Sequence, residues 1–328
     1  MISVLLPAYN AESTIAEAIS SVLAQTFSQF EVLIVDDGST DKTSQVIGQF
    51  SDPRIRVIRQ ETNQGLVATL NRGLHECKYD WIARLDSDDR MVSTRLAEQW
   101  NWVSAHPKVA ILGSSMLMID ERGQPLGMRE AQCGSQVLEW KLLFENPLFH
   151  PTVLMNRKFV QEVGGYREEA KHAEDYDLWV RIVHAGYKLE NLPAALTEYR
   201  IHPDQISQSQ TPAMVRQSRK TAQAAMQNLV AHPVSESVVQ ALQERKSPYE
   251  LRPEVTTRLA ELWARWRVRE SLANFPIEAQ EDLVWRFIGI YRNDWITGAQ
   301  MAWFHQRYPG VGLRAWMSPL KRVAKKIR

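Results

Sequence analysis

The sequence predicts an α/β protein with a mixed, mostly parallel sheet flanked by helices, followed by a helical C-terminal extension. Short apolar runs alternate with amphipathic stretches through the first half of the chain, which is typical of repeated βα units. After about residue 210 the alternation stops and only helical patterns remain. The composition, with 44% hydrophobic and 23% charged residues among 328, is that of a globular protein with one or two domains.

The predicted elements of the first half follow one another in a regular order. The first strand is ISVLLPAY, and the first helix is TIAEAISSVLAQ, where Thr14 and Glu17 have the spacing of a capping box. The next elements are strand EVLIVDD, a helix near TSQVIGQF, strand RIRVIRQ, helix GLVATLNRGLHEC and a strand at WIAR. They are followed by helix TRLAEQWNWVSAH and strand VAILGSSMLMID. Beyond Pro125 the pattern weakens, leaving predicted helices at VLEWKLLF and EDYDLWVRIVHAG and an extended segment at HPTVLMNR.

The charge distribution divides the chain into two parts. Residues 1–210 carry 20 Lys and Arg against 28 Asp and Glu, a balance of −8. Residues 211–328 carry 19 against 10, a balance of +9, and contain six of the eleven tryptophans. We therefore predict two domains, 1–210 and 211–328, with different roles.

Several protein classes are disfavoured by the sequence. Cys77 and Cys133 do not have the spacing of a metal site, and so few cysteines suit a reducing cytosol. The first residues, MISVLLPAYN, lack the basic region of a signal peptide. No run approaches the roughly 18 apolar residues that span a bilayer. We expect a cytoplasmic protein that is soluble or peripheral on a membrane.

The stretch WIARLDSDDR places three carboxylates directly after a predicted strand. Asp86 and Asp88, one residue apart where the chain must turn, can converge on one hard cation and leave positions open for phosphate oxygens. The alternative is a surface turn, since Asp and Ser are common turn residues. Ligands of open α/β sheets bind beyond the carboxyl ends of the strands, and this is such an end.

A second acidic cluster, VDDGSTD, ends another predicted strand. Its Ser39, Thr40 and Asp41 are suited to cap the following helix. A cap uses one side-chain oxygen, so Asp36 and Asp37 need a further explanation. A carboxylate at this position can accept a hydrogen bond from a nucleobase N–H or a ribose hydroxyl.

A third cluster opens the predicted helix EDYDLWVRIVHAG. Glu174, Asp175 and Asp177 either stabilise the positive end of the helix dipole or supply a general base at the mouth of a cleft. Downstream, His202 follows the Tyr199–Arg200 pair. A single histidine is more often structural, but near a carboxylate-bound cation it becomes a candidate third ligand.

In this order, PAYNAE, VDDGSTD, NQGL, ARLDSDD, GGYRE, AEDYDLWVR and YRIHPDQIS resemble glycosyltransferase family 2, the inverting enzymes of GT-A fold that include bacterial cell-surface polysaccharide enzymes. The resemblance covers residues 1–207 and makes 1–210 the catalytic domain. It implies that Pro7, Ala8 and Tyr9 line the nucleotide base pocket, that Asp37 accepts from the base, and that Asp36 supports it. For Asp86 and Asp88 it implies a DxD pair that holds Mg²⁺ or Mn²⁺ at the donor diphosphate. It makes Asp175 the catalytic base and places His202 near the metal or the diphosphate.

The function implied by the resemblance is metal-dependent, inverting transfer of a sugar from a nucleotide-sugar donor, with UDP favoured, to a hydroxyl of a glycan or lipid-linked acceptor in polysaccharide or lipopolysaccharide biosynthesis. One alternative is a nucleotidyltransferase of related fold, although PAYNAE stands where a Gly-rich phosphate loop would be expected. Another is a catalytically silent sugar-nucleotide or glycan-binding module, which would have no need of Asp175.

The tail, residues 311–328, is basic. Leu320, Val323 and Ile327 share a helical spacing among six Lys and Arg, which favours either an amphipathic helix on the cytoplasmic face of an anionic inner membrane or a solvated or docked terminal helix. Basic residues with aromatics also suggest nucleic acid. The balance of −8 in residues 1–210 argues against that partner.

Overall fold

The computed structural model describes residues 1–202, 211–270, 276–291, 298–308, 311 and 315. These residues form two compact units. The first comprises Met1–Ser135 and Pro147–Met214, and the second comprises Gln136–Asn146 and the chain from Val215 onwards. The segment Gln136–Asn146 thus groups with the C-terminal unit although it precedes residue 210.

The first unit alternates strands and helices. Its strands within the described residues are β1 (Ile2–Ala8), β2 (Phe30–Asp36), β3 (Ile55–Arg59), β4 (Trp81–Arg84), β5 (Arg90–Met91), β6 (Val109–Ile119), β7 (Pro125–Arg129), β8 (Leu154–Asn156) and β9 (Lys188–Arg200). Its helices are α1 (Ile15–Leu23), α2 (Thr43–Ile47), α3 (Leu66–Glu76) and α4 (Arg95–Ala105), and then, after α5 (Ser135–Lys141), α6 (Arg157–Glu162) and α7 (Glu174–His184). The predicted α/β class and the flanking helices are confirmed.

The strands of the described residues form one mixed sheet in the order β3-β2-β1-β4-β8-β6-β9-β5, with β7 paired to β6. The half from β3 to β4 is parallel, and β8 joins it antiparallel to β4. Since β1, β2 and β4 run in the same direction, their carboxyl ends meet at one edge of the sheet, where both acidic clusters lie.

The parallel half is covered on both faces. Every residue of β1 and β2 is buried, which explains why both strands are nearly continuous apolar runs. Alternate residues of β1 belong to the same core cluster as the apolar face of α1. Helix α3 approaches β1 closely, since a Cβ atom on Gly73 would lie 2.2 Å from the Leu5 side chain. The sheet edge is therefore held by a rigid packed layer.

Three features differ from the sequence predictions. Thr14 precedes α1 but makes no side-chain capping bond, and the Glu17 carboxylate contacts Arg90 and Arg200 instead. The capping box is therefore wrong, because arginines distant in sequence take the carboxylate. Strands β5, β7 and β9 and helix α6 were not predicted; β9 contains Pro193 and lacks a regular apolar alternation along its length. The three residues from His150 to Thr152 form a 3₁₀ turn rather than an extended segment.

The second unit is helical where it is described, with α8 (Pro212–Val230), α9 (Glu236–Glu244), α10 (Arg252–Glu270), α11 (Ile277–Ile290) and α12 (Gly298–Arg307) following the α5 segment. Its core contains Trp140, Trp263 and Trp266, with ring centroids 5.1–5.3 Å apart. The predicted amphipathic tail lies outside the described residues except for Val311 and Ala315. Among the helices that are described, none combines the length and the apolar character needed to cross a bilayer.

Candidate active site

A cleft of about 410 Å³ opens at the carboxyl edge of β1 and β2 and beside the loop after β4. Its walls come from several segments of the first unit that are far apart in sequence. Five of the predicted site residues line it: Pro7, Ala8, Tyr9, Asp37 and Asp86. Tyr9 is 47% exposed, so its ring is available to a ligand that enters the cleft.

Asp37 connects the cleft floor to the loop before α3. Its Oδ1 atom accepts hydrogen bonds from Gln60 Nε2 at 2.6 Å and from the Gln64 N–H at 2.7 Å, and its Oδ2 atom accepts from the Gly65 N–H at 2.9 Å. A carboxylate offers about four acceptor positions. Three are therefore used to fix the loop, and one is left for a donor group of a ligand.

Asp36 faces a different environment from Asp37 because successive side chains of a strand point to opposite faces. It is 1% exposed and is not among the described residues that line the cleft. One oxygen accepts from the Ser39 N–H at 2.9 Å, and the other contacts the Ser44 hydroxyl. Asp36 thus holds the turn between β2 and α2, and any contribution to ligand binding is indirect.

The turn at Gly38 brings Asp37 against the 62–65 loop. Gly38 has φ +69°, and a Cβ atom there would lie 2.6 Å from the backbone carbon of Thr62. A side chain is excluded both by the left-handed conformation and by this contact. The glycine of VDDGSTD is therefore required by the geometry of the cleft floor.

Asp86 forms an ion pair with the buried side chain of Arg84. Both guanidinium Nη atoms contact its carboxylate, with Nη1 2.5 Å from Oδ2. Arg84 is 3% exposed and Asp86 is 28% exposed, so water reaches the pair only from the side of the carboxylate. Burial raises the pKa of Asp86 to about 6 against the opposing charge of Arg84, and the neighbouring carboxylates of Asp88 and Asp175 add to the increase.

Asp86, Asp88 and Asp89 offer ligand oxygens that all lie within 4.8 Å of one another. Asp89 is 1% exposed, and its buried Oδ2 atom has no hydrogen-bond partner, although its Oδ1 accepts from the Arg200 N–H at 2.9 Å. Burial and the charges of Asp88 and Asp86 raise the pKa of Asp89 well above its ordinary value. An orphaned buried oxygen among three carboxylates fits a hard divalent cation.

His202 lies beside Asp88 of this cluster. Its Nε2 atom is 3.0 Å from Asp88 Oδ2, and both side chains are 27% exposed. Of the three predicted metal-binding residues, His202 lies against Asp88, while Asp86 and Asp88 share with Asp89 the group of carboxylates whose ligand oxygens lie within 4.8 Å of one another.

The N-terminus of α7 supplies carboxylates on the other side of the cleft. Glu174 lines the cleft, whereas Asp175 is half-buried and is not among its described lining residues. Burial raises the pKa of Glu174 to about 7, and the charge of Asp175 adds to the increase. Asp175 also raises the pKa of Asp86, which places its carboxylate within electrostatic range of the acidic cluster.

Sequence reasoning missed part of the wall. Glu168, Lys171 and His172 line the cleft, and His172 has φ +77°, which is unusual for a residue other than glycine. The segment carries neither a periodic pattern nor a familiar spacing. Glu168 is the last residue of GGYRE, and Lys171 and His172 lie directly before AEDYDLWVR, so the position between these two motifs was the available signal.

Comparison with known proteins agrees with this architecture. The model of the family "Glycosyl transferase family 2" matches residues 3–163. EpsE of Bacillus subtilis (strain 168), named as a glycosyltransferase, is 34% identical over 209 residues, which span 62% of this chain and 73% of that protein. The UDP-Glc:alpha-D-GlcNAc-diphosphoundecaprenol beta-1,3-glucosyltransferase WfaP of Escherichia coli is 29% identical over 219 residues, 66% of this chain and 84% of WfaP.

Solved structures share the fold at low sequence identity. S. aureus TarS in complex with UDP-GlcNAc superimposes with a TM-score of 0.59 at 18% identity, over 94% of this chain and 89% of the TarS chain. The mannosyltransferase PcManGT of Pyrobaculum calidifontis, in complex with GDP-Man and Mn²⁺, gives 0.54 at 15% identity, over 97% and 86%. The matched family model and the EpsE relationship lead to one conclusion: this chain belongs to glycosyltransferase family 2 and has the GT-A fold.

Proposed function

We propose that this glycosyltransferase is metal-dependent and inverting, and that it transfers a sugar from a nucleotide-sugar donor, a UDP-sugar, to a hydroxyl of a glycan or lipid-linked acceptor. The observation that carries the proposal is the acidic cluster of Asp86, Asp88 and Asp89, in which one cleft-lining carboxylate adjoins an orphaned buried oxygen. A surface turn would gain nothing from placing three like charges so close together.

The donor would lie along the carboxyl edge of the sheet. Pro7, Ala8 and Tyr9 form one wall for the base, and the remaining acceptor position of Asp37 suits a base N–H. Asp36 supports Asp37 through the turn that it holds. TarS was solved with UDP-GlcNAc and WfaP is named for UDP-Glc, whereas PcManGT was solved with GDP-Man. The proposal of a UDP-sugar follows the first two.

Asp86, Asp88 and His202 would hold Mg²⁺ or Mn²⁺, with Asp89 close by. When bound, such a cation neutralises charge that develops on the departing nucleoside diphosphate. The buried Arg84 keeps the Asp86 carboxylate in one orientation, and the Asp88 carboxylate is adjacent to the His202 ring. These contacts would hold the carboxylates of Asp86 and Asp88 in place for the cation.

In this proposal Asp175 accepts the proton of the acceptor hydroxyl. The acceptor oxygen then bonds to the anomeric carbon while the bond to the diphosphate oxygen breaks on the opposite face, so the configuration inverts in one step. Asp175 lies at the N-terminus of α7, and the Glu174 side chain beside it faces the cleft. The mechanism needs one base and no protein nucleophile.

Release of the nucleoside diphosphate tests the function. Purified enzyme would be incubated with a panel of UDP-, GDP- and dTDP-sugars and a diphosphate-linked glycolipid acceptor, with Mn²⁺, with Mg²⁺ or with EDTA. We expect one UDP-sugar to give nucleotide release that requires both acceptor and metal. Binding without turnover would indicate a silent module, and release of pyrophosphate from UTP with a sugar phosphate would indicate a nucleotidyltransferase.

We further propose that the enzyme acts in cell-surface polysaccharide or lipopolysaccharide biosynthesis, at the cytoplasmic face of the inner membrane. WfaP is named for a diphosphoundecaprenol-linked acceptor, and the last 18 residues of this chain carry six Lys and Arg without an acidic residue. Basic, partly apolar segments bind anionic headgroups. Co-sedimentation with phosphatidylglycerol vesicles should fall when residues 311–328 are removed, and equal binding of both proteins would exclude the tail as the anchor.

A further inference from the structure

Arg200, the last residue of β9, is 2% exposed and donates hydrogen bonds to three segments of the first unit. Its Nε atom is 2.9 Å from the Asp88 carbonyl oxygen. Its Nη1 atom is 2.8 Å from the carbonyl oxygen of Glu121, in the turn between β6 and β7. Its Nη2 atom is 2.7 Å from Glu17 Oε2 on α1. A planar guanidinium with rigidly placed donors fixes the relative positions of its acceptors.

The main chain of the same segment contacts the acidic cluster again. The Arg200 N–H donates to Asp89 Oδ1 at 2.9 Å, and two residues later the His202 ring meets Asp88 Oδ2 at 3.0 Å. The three residues from Arg200 to His202 thus contact the backbone of Asp88, its carboxylate and the carboxylate of Asp89.

We propose that Arg200 is a positioning residue for the divalent cation: it fixes the backbone of Asp88 and the start of the segment that carries His202, and so sets the distance between two metal ligands. The inference rests on the proposed metal-dependent function. A carboxylate can reach its ligand position only if its own backbone is placed correctly. Mg²⁺ tolerates little deviation from octahedral geometry, and outer-shell residues that orient ligands commonly contribute 10–100-fold to metal affinity.

Arg90 offers a matched control. Its Nη1 atom is 3.3 Å from the same Glu17 carboxylate oxygen, and its Nη2 atom is 3.2 Å from the Gly123 carbonyl oxygen in the same β6–β7 turn. Its Nε atom donates to Glu198 at 2.6 Å, in the place where Arg200 donates to Asp88. The two arginines therefore share the contacts to α1 and the turn and differ in the contact to the metal-binding loop.

The experiment measures Mn²⁺ binding rather than turnover. Full-length wild type, Arg200→Lys, Arg200→Met and Arg90→Met would be titrated with Mn²⁺ in the presence of saturating UDP, by calorimetry and by the electron paramagnetic resonance spectrum of bound Mn²⁺. The melting temperature without metal reports whether each variant folds. Arg200→Lys keeps the charge but not the planar fork, and it provides a milder variant beside Arg200→Met, which removes every donor of the side chain.

We expect the dissociation constant for Mn²⁺ to rise about 10–100-fold in both Arg200 variants and the spectrum of bound Mn²⁺ to change. Arg90→Met should stay within about twofold of wild type, because the Arg90 side chain bonds Glu198, Glu17 and Gly123 rather than the loop of Asp86 to Asp89, and the backbone pairing with Glu198 is kept. Wild-type Mn²⁺ affinity in a folded Arg200 variant, or an equal loss in Arg90→Met, overturns the proposal. A wild-type protein that binds no Mn²⁺ with UDP contradicts the proposed function itself, and the role of Arg200 falls with it.

Discussion

The Nε2 atom of His202 lies 3.0 Å from Oδ2 of Asp88, although the two residues are 114 positions apart. The pairing of β5 with β9 explains the contact. Arg90 is opposite Glu198 and Met91 opposite Thr197 in an antiparallel register, so the residues before Arg90 run past those after Glu198. The loop that carries Asp86 and Asp88 therefore meets the residues that follow β9, because the pairing of β5 with β9 brings them side by side.

Asp88→Asn tests the metal site. The amide keeps the size of the side chain and removes one negative ligand oxygen. We therefore expect the apparent affinity for UDP in the presence of Mn²⁺ to fall at least about tenfold. Calorimetry with and without Mn²⁺ measures the effect.

The control is Asp80→Asn, which changes a 49% exposed carboxylate that is 3.2 Å from Lys158 Nζ. It should leave UDP and Mn²⁺ binding unchanged. Equal binding by wild type and Asp88→Asn would remove Asp88 from the metal site.

Asp175→Asn tests the base. Because the amide cannot accept the proton, turnover should fall by about 10²–10⁴-fold. Donor binding should persist, since the amide keeps the shape of the side chain. Glu174→Gln is the necessary comparison, since Glu174 lines the cleft. A larger loss of kcat in Glu174→Gln than in Asp175→Asn would transfer the role to Glu174.

Asp177→Asn is the control within the same helical turn. The Asp177 carboxylate pairs with Arg181, whose Nε atom lies 2.8 Å from Oδ2. We expect a modest loss of stability and near-normal kcat, because this carboxylate is already used to hold Arg181.

Gly38→Ala tests the turn beneath Asp37. The new methyl group would lie 2.6 Å from the Thr62 backbone at φ +69°, so we expect the free energy of unfolding to fall by about 1–3 kcal/mol. Gly48→Ala is the matched change at φ −65°, with its nearest neighbour 3.4 Å away, and should be neutral or slightly stabilising. Urea titrations of both variants measure the difference, and equal unfolding midpoints would contradict the strain at Gly38.

Asp282→Asn tests the charged core of the second unit. Asp282 is 5% exposed, and its carboxylate accepts from Arg286 Nε at 2.8 Å, Arg245 Nη2 at 2.9 Å and Trp140 Nε1 at 2.9 Å. Removing the charge leaves the buried Arg286 uncompensated, which should cost about 3–5 kcal/mol. Glu244→Gln, which weakens an exposed contact to Arg219 in the same unit, should cost less than about 1 kcal/mol.

Asp282 should also make the free energy of unfolding depend on pH. Burial opposes ionisation of Asp282, but Arg286, Lys141 and Arg245 outweigh it and lower its pKa to about 2. Because the folded pKa lies below the ordinary value of about 3.9, this contribution is complete above pH 4 and disappears as the pH falls towards 2. Between pH 5 and pH 2 the free energy of unfolding of the wild type should fall by about 2 kcal/mol more than that of Asp282→Asn. An identical pH dependence in both proteins would refute the assignment.

The local pattern of the sequence was sufficient for much of the fold. Continuous apolar runs predicted β1 and β2, because strands covered on both faces have no polar side. The acidic clusters after β2 and β4 were recognised as lying at strand ends, where open α/β sheets bind their ligands. Strand β9 escaped prediction, since its burial alternates irregularly around Pro193.

The sequence by itself determined which residue types stand at the strand ends and in what order. Only the tertiary structure decided which of them face the cleft: Asp36 and Asp37 are adjacent, but one holds a turn and the other reaches the ligand side, because neighbouring side chains of a strand point in opposite directions. Likewise, Glu17 was predicted to cap α1, but its carboxylate accepts a hydrogen bond from Arg200, 183 residues away. Such contacts depend on strand register and on which buried charges must be paired, and neither is a property of a local segment.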